Sequence, residues 1–106
     1  MSKPWPPPPD LESLKELFVT ADVEGLIADG CPLDEYDPEA KHFFEETQGW
    51  KSEQLIAERT FPLLTRIFEE QFNEERAGRQ PALKQLAAEI ERFFGPEAKP
   101  QVRTNS

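Results

Sequence analysis

Apolar residues recur along this chain at three- and four-residue intervals, and that spacing limits what it can fold into. Leu11, Leu14, Leu17 and Phe18 form one such set. Ile56, Leu63 and Ile67, beside Leu64, Phe68 and Phe72, form two adjacent ridges of a second. Leu83, Leu86, Ala87, Ile90, Phe93 and Phe94 form a third. Each set lines one face of a helix and cannot bury that face alone. No run of four to eight residues alternates at the period of two that a half-buried strand needs, and no internal repeat is visible. The expected fold is all-α, a compact array or bundle of about four helices.

Prolines, glycines and capping residues set the expected boundaries. Asp10 offers an N-cap to a first helix over 10–20. Asp22 can cap a short turn through Val23, Leu26 and Ile27, which Gly30 and Pro32 end. Asp37-Pro38-Glu39 is a strong helix start: the Asp side chain can accept a backbone N–H, proline suits the first helical position, and Glu39 complements the dipole. It predicts a second helix over 38–47, stopping at Gly49. Ser52 can cap a third helix over 53–76. Pro62 lies inside it and deletes the hydrogen bond to the Glu58 carbonyl, so a kink is expected near Thr60, with a break as the alternative. Gly78 ends that segment. Pro81 opens a fourth helix over 81–94, which Gly95-Pro96 terminate. The chain divides into a proline-rich tail (1–9), one helical domain (10–95) and a flexible C-terminal tail (96–106).

At 106 residues, with eight Phe and two Trp, the chain has material for one core. Its net charge of −9 is unevenly placed. Between Asp10 and Glu46 twelve acids face only Lys15 and Lys41, whereas from Thr47 to Ser106 nine acids meet nine bases. Such a front repels phosphate, so nucleic acid and anionic membranes are excluded as expected partners, and a basic protein suits it. No stretch approaches the roughly 20 apolar residues of a membrane span. The start Met1-Ser2-Lys3-Pro4-Trp5 lacks a secretory signal, and the single Cys31 cannot form an internal disulfide, so a cytoplasmic protein is expected. Cys31 has no flanking cation to stabilise a thiolate and is expected to be an inert residue beside a turn. The Lys3–Pro9 stretch has the composition of a polyproline ligand, but a stiff leader is the simpler expectation.

The least ordinary stretch is Gly30-Cys31-Pro32-Leu33-Asp34-Glu35-Tyr36-Asp37-Pro38-Glu39, with four carboxylates flanking an aromatic ring. Its spacing matches neither a calcium loop nor a zinc set. A catalytic carboxylate pair would need one acid raised by burial beside a cleft. The structural expectation is that Asp37 caps the second helix, Tyr36 packs on the core, and Asp34 and Glu35 face loop amides or water. His42, four residues before Glu46, has no second histidine, cysteine or serine placed to make a triad or metal set. Arg66 and Glu70 can pair across one helical turn. Of the adjacent aromatics Phe43-Phe44 and Phe93-Phe94, one of each is expected at the surface.

No catalytic, cofactor-binding or metal-ligating residue is assigned, and no cofactor is expected. The candidate interaction surface comprises Asp34, Glu35, Tyr36, Asp37, Glu39 and His42. The leading expectation is a non-enzymatic protein-interaction module facing a basic partner, in one form an inhibitor or immunity-type protein. The alternative is a small-ligand or metal-binding protein, or an enzyme, using the Asp34-Glu35-Tyr36 loop.

The Gly30–Glu39 run, preceded by Asp22-Val23-Glu24-Gly25-Leu26-Ile27, resembles the signature of the small bacterial YugE-like family, a domain of unknown function. The likeness spans residues 20–47, and Cys31 stands where an alanine belongs in that family's turn. It implies a compact array of about four helices in a bacterial cytoplasmic protein, and it transfers no ligand or catalytic residue.

Overall fold

The computed structural model describes residues 9–72 and 77–98. The proline-rich tail falls outside these residues except for Pro9, as does the C-terminal tail from residue 99 onward. Four helices follow one another: α1 (Leu11–Ala21), α2 (Asp37–Glu46), α3 (Ala57–Phe72) and α4 (Gln80–Phe94). Among the described residues there is no strand. The helical spacing of the apolar residues is therefore expressed as expected. Each helix packs against the next, and α4 closes the ring by packing back on α1.

Local chemistry explains most of the boundaries. Asp10 adopts extended backbone and its Oδ2 accepts the Ser13 N–H at 3.0 Å, satisfying one of the orphan donors at the start of α1. Asp22 ends the helix in a left-handed conformation, with φ of 45°, and its N–H reaches the Phe18 carbonyl at 3.0 Å. α2 departs from expectation at its first turn. Tyr36 occupies the N-cap and makes no side-chain cap bond, and Asp37 is already helical. The Asp37 carboxylate lies instead 3.5 Å from Lys15 Nζ on α1, so an ion pair between helices displaces the local cap.

α3 begins later than the sequence suggests. Ser52–Gln54 form a separate 3-10 turn, closed by the Lys51 N–H donating to Gln54 Oε1 at 2.9 Å, and Leu55 then plunges into the core. The start of α3 is held from another helix: Glu91 Oε1 of α4 accepts the Ala57 N–H at 2.7 Å. That contact supplies both an acceptor and a negative charge at the positive end of the helix dipole. α3 then runs without interruption through the solvent-facing Pro62, so no break occurs at Thr60, whose hydroxyl bonds back to the Ile56 carbonyl. Residues 73–76, the expected end of this helix, lie outside the described residues. At the end of α4 a Cβ on Gly95 would stand 2.6 Å from the Glu91 carbonyl oxygen and 3.0 Å from that of Leu55. Only glycine allows so close an approach of the two backbones.

The core joins one aromatic ring from each of α1, α2 and α3 to the aliphatic face of α4. Phe18 lies 6.1 Å from Phe43 and 6.0 Å from Phe68, centroid to centroid, and all three are fully buried. Leu83, Leu86, Ala87 and Ile90 complete the layer. Of the adjacent pairs, Phe43 and Phe94 turn inward while Phe44 and Phe93 stay half-buried. Arg66 does not pair with Glu70 as its spacing suggests; its Nη2 reaches Glu46 Oε1 on α2 at 2.6 Å. Truncating Phe68 to Ala should cost roughly 3–5 kcal/mol, because the ring's transfer free energy is lost and a cavity opens among three helices. Urea unfolding checks this, with Leu33→Ala as an exposed control expected to stay within about 0.5 kcal/mol of the parent.

Candidate functional site

The segment between α1 and α2 is irregular, and it is organised from within by two side chains. Asp22 Oδ1 accepts the Ile27 N–H and Oδ2 the Ala28 N–H, both at 3.0 Å. The Tyr36 hydroxyl donates to the same Asp22 Oδ1 at 2.7 Å and accepts the Glu24 N–H at 2.9 Å and the Leu26 N–H at 3.4 Å. The Tyr36 ring lies 6.1 Å from that of Phe68, and only 1% of the residue is exposed. A loop of this length leaves many backbone donors in need of partners, and here one carboxylate and one phenol supply them.

The electrostatics follow from those contacts. Burial and the hydrogen bond to the Asp22 carboxylate push the Tyr36 phenol well above its ordinary value. Desolvation pulls Asp22 upward, but the bonds it accepts from Tyr36, Ile27 and Ala28 outweigh that and hold it below the usual carboxylate range. A second tether runs from the loop to Arg79, the N-cap of α4. Glu24 Oε2 pairs with Arg79 Nε, and each side chain is only 2% exposed. Removing one member of such a buried pair leaves an uncompensated charge, so the pair fixes the loop even where it adds little net stability.

Glu39, in the first turn of α2, is the other buried acid, with 3% of its surface exposed and an Oε1 that has no hydrogen-bond partner. Burial, reinforced by the negative charges of Glu35, Asp37 and Glu24, raises it to about 7. It is therefore a carboxyl group that keeps its proton far above the range of a solvated glutamate.

The six residues of the candidate surface thus separate. Asp34 and Glu35 are exposed, as expected. Asp37 is half-buried against Lys15, and His42 is half-buried with Nε2 3.7 Å from Glu46 Oε1. Tyr36 and Glu39 do not belong to a surface at all: the ring is committed to the core and the carboxyl is enclosed. Asp22 and Arg79 emerge as site-forming residues that the sequence did not mark. For Asp22 the sequence holds a partial signal, its capping place before a glycine-containing turn; for Arg79 it holds none, because its partner lies 55 residues away. No group of three or more His, Cys, Asp or Glu among the described residues could hold a metal ion, and the Tyr36 hydroxyl is already engaged three times.

Fold and site together define a small all-α four-helix domain with an internally latched acidic loop. A scan against protein-family models, a search of curated proteins and a search of solved structures each return no match for the chain.

Two outcomes test this geometry. Tyr36→Phe keeps the ring but strips the hydroxyl from a carboxylate and two amides, and should cost about 1–3 kcal/mol in urea unfolding. Hydrogen exchange should show protection lost first at the Glu24 and Leu26 amides. Glu39 gives the pH dependence. The folded chain binds its proton more tightly than the unfolded chain, so this contribution to stability is complete below about 4.5 and is lost as pH rises through about 7. Glu39→Gln should remove that loss, making the variant more stable than the parent by on the order of 2–3 kcal/mol at a pH of about 8. The advantage should shrink steadily below a pH of about 7 and vanish only below about 4.5, as thermal melts across pH will show.

Proposed function

We propose that this chain is a non-enzymatic protein-interaction module whose acidic front, residues 29–46, meets a positively charged protein surface. The observation that carries the proposal is how the charge is displayed. Asp29, Asp34, Glu35, Glu45 and Glu46 are all exposed, and Lys41 is the one exposed base in that stretch. The front is also held in shape, because the loop that bears Asp34 and Glu35 ends on the buried Tyr36. A preformed surface of one sign raises encounter rates with an oppositely charged partner and selects against like-charged ones.

One specific form is an inhibitor or immunity-type protein that covers a cationic enzyme. The alternative, a ligand or metal site built on Asp34, Glu35 and Tyr36, is disfavoured because the Tyr36 hydroxyl faces Asp22 and the core and so cannot share a ligand with the two exposed acids. A cytoplasmic setting fits the free Cys31, and no helix among the described residues is long and apolar enough to cross a membrane. Kinship with the YugE-like family is proposed on residues 20–47 alone and brings no activity with it.

The test is charge reversal at the two exposed acids. Asp34→Lys with Glu35→Lys leaves Tyr36 and Glu39 in place, so the fold should persist by circular dichroism. Affinity for a basic protein captured from lysate and then purified should fall at least about tenfold, with a weaker salt dependence than the parent shows. Unchanged affinity, or capture confined to acidic partners, would refute the proposal.

A further inference from the structure

Beside the turn that precedes Tyr36, the outer face of α1 forms one wall of an open groove of about 550 Å³. Val19 and Leu33 are its apolar lining, beside Glu12, Glu16, Asp34 and Asp37. Leu33 is 67% exposed and is the sole large hydrophobic side chain so displayed among the described residues. Its exposure is not that of a loose loop. The Glu35 N–H bonds to the Pro32 carbonyl and the Asp37 N–H to that of Asp34, both at 3.1 Å, so Leu33 sits on consecutive turns anchored by a buried tyrosine. An aliphatic side chain held out in water beside a groove gains free energy when a partner covers it.

Charge says which partner. The described residues that line the groove include four carboxylates and one ammonium, Lys15, whose Nζ lies 3.6 Å from Glu12 and 3.5 Å from Asp37. A second copy of the chain, itself at −9, would bring like charge to like. A cationic segment would meet the opposite sign. An amphipathic helix with an aliphatic residue on one face and Lys or Arg on its flanks suits both the apolar and the acidic lining.

We propose that this groove docks a cationic amphipathic helix of a partner protein, with an aliphatic side chain of the partner on Leu33 and Val19 and its basic side chains toward Glu12 and Asp34. The proposal rests on the acidic front being an interaction surface and narrows it to one groove and one kind of occupant.

The experiment titrates the isotope-labelled full chain with a Leu/Lys amphipathic peptide of about 18 residues and with its Leu/Glu counterpart, following amide shifts. The Leu/Lys peptide should shift amides of Val19, Leu33 and Asp34, and the Leu/Glu peptide should not bind. Leu33→Ser should weaken binding about tenfold without changing the parent's helical content, since one aliphatic contact is lost. Glu12→Gln with Asp34→Asn should weaken it further at low salt than at high salt. Shifts centred elsewhere, or binding indifferent to Leu33→Ser, overturn the groove while leaving the acidic module intact. No binding of the cationic peptide at any salt overturns the groove, whereas the acidic module stands or falls on the charge reversal at Asp34 and Glu35. Concentration-dependent dimerisation abolished by Leu33→Ser makes the occupant a second copy, and that too overturns the proposal.

Discussion

The phenol of Tyr36 ties α3 to the loop that leaves α1. Its ring packs on Phe68 of α3, and its hydroxyl closes onto Asp22 and two amides of the loop leaving α1. A buried polar tip must be fully satisfied, whereas an aromatic body contributes most when it is fully covered, and this position meets both demands at once. The irregular segment between α1 and α2 is therefore anchored to the core at Val23 and Tyr36, although few of its own side chains are large and apolar. Asp22 accepts a left-handed backbone at the end of α1 as part of the same arrangement, a conformation that aspartate tolerates better than most residues.

From that latch follows the distribution of charge. The loop is held inward by Tyr36 and by the buried pair of Glu24 with Arg79, so the remaining acids of the segment are turned outward on fixed turns. Glu39 is the exception. Its place in the first turn of α2 buries it among other carboxylates, and the cheapest state for such a group is the neutral one. One chain of acidic residues thus splits into a solvated front, a charged internal tether and an enclosed carboxyl raised to about 7, three outcomes for chemically similar side chains.

Much of the helical framework was legible from local chemistry. The start of α1 at Asp10, the end of α4 at Gly95 and the existence of all four helices follow from caps, breakers and apolar spacing, which act within a turn or two of chain. Where local chemistry misleads, one cause recurs. Asp37 has the sequence context of a cap but answers to Lys15 on α1; Ser52 has the context of a cap for α3, whose first free N–H is taken by Glu91 of α4; Arg66 has the spacing to pair with Glu70 but reaches Glu46 of α2. In each case an interhelical partner outcompeted a neighbour in sequence. Tyr36 and Glu39 illustrate the same limit for the site, since the composition of the loop announced a charged feature without saying which members would be enclosed.

Periodicity and punctuation in the sequence determined that this protein is helical, where its helices lie and that one half carries the negative charge, because those properties are set by each residue's own backbone preference and charge. Tertiary structure decided which acids are buried, that Asp22 and Tyr36 share one hydrogen-bond network, and that Arg79 reaches across 55 residues to Glu24. Burial and pairing are properties of the neighbours a side chain acquires on folding, and no residue carries that information alone.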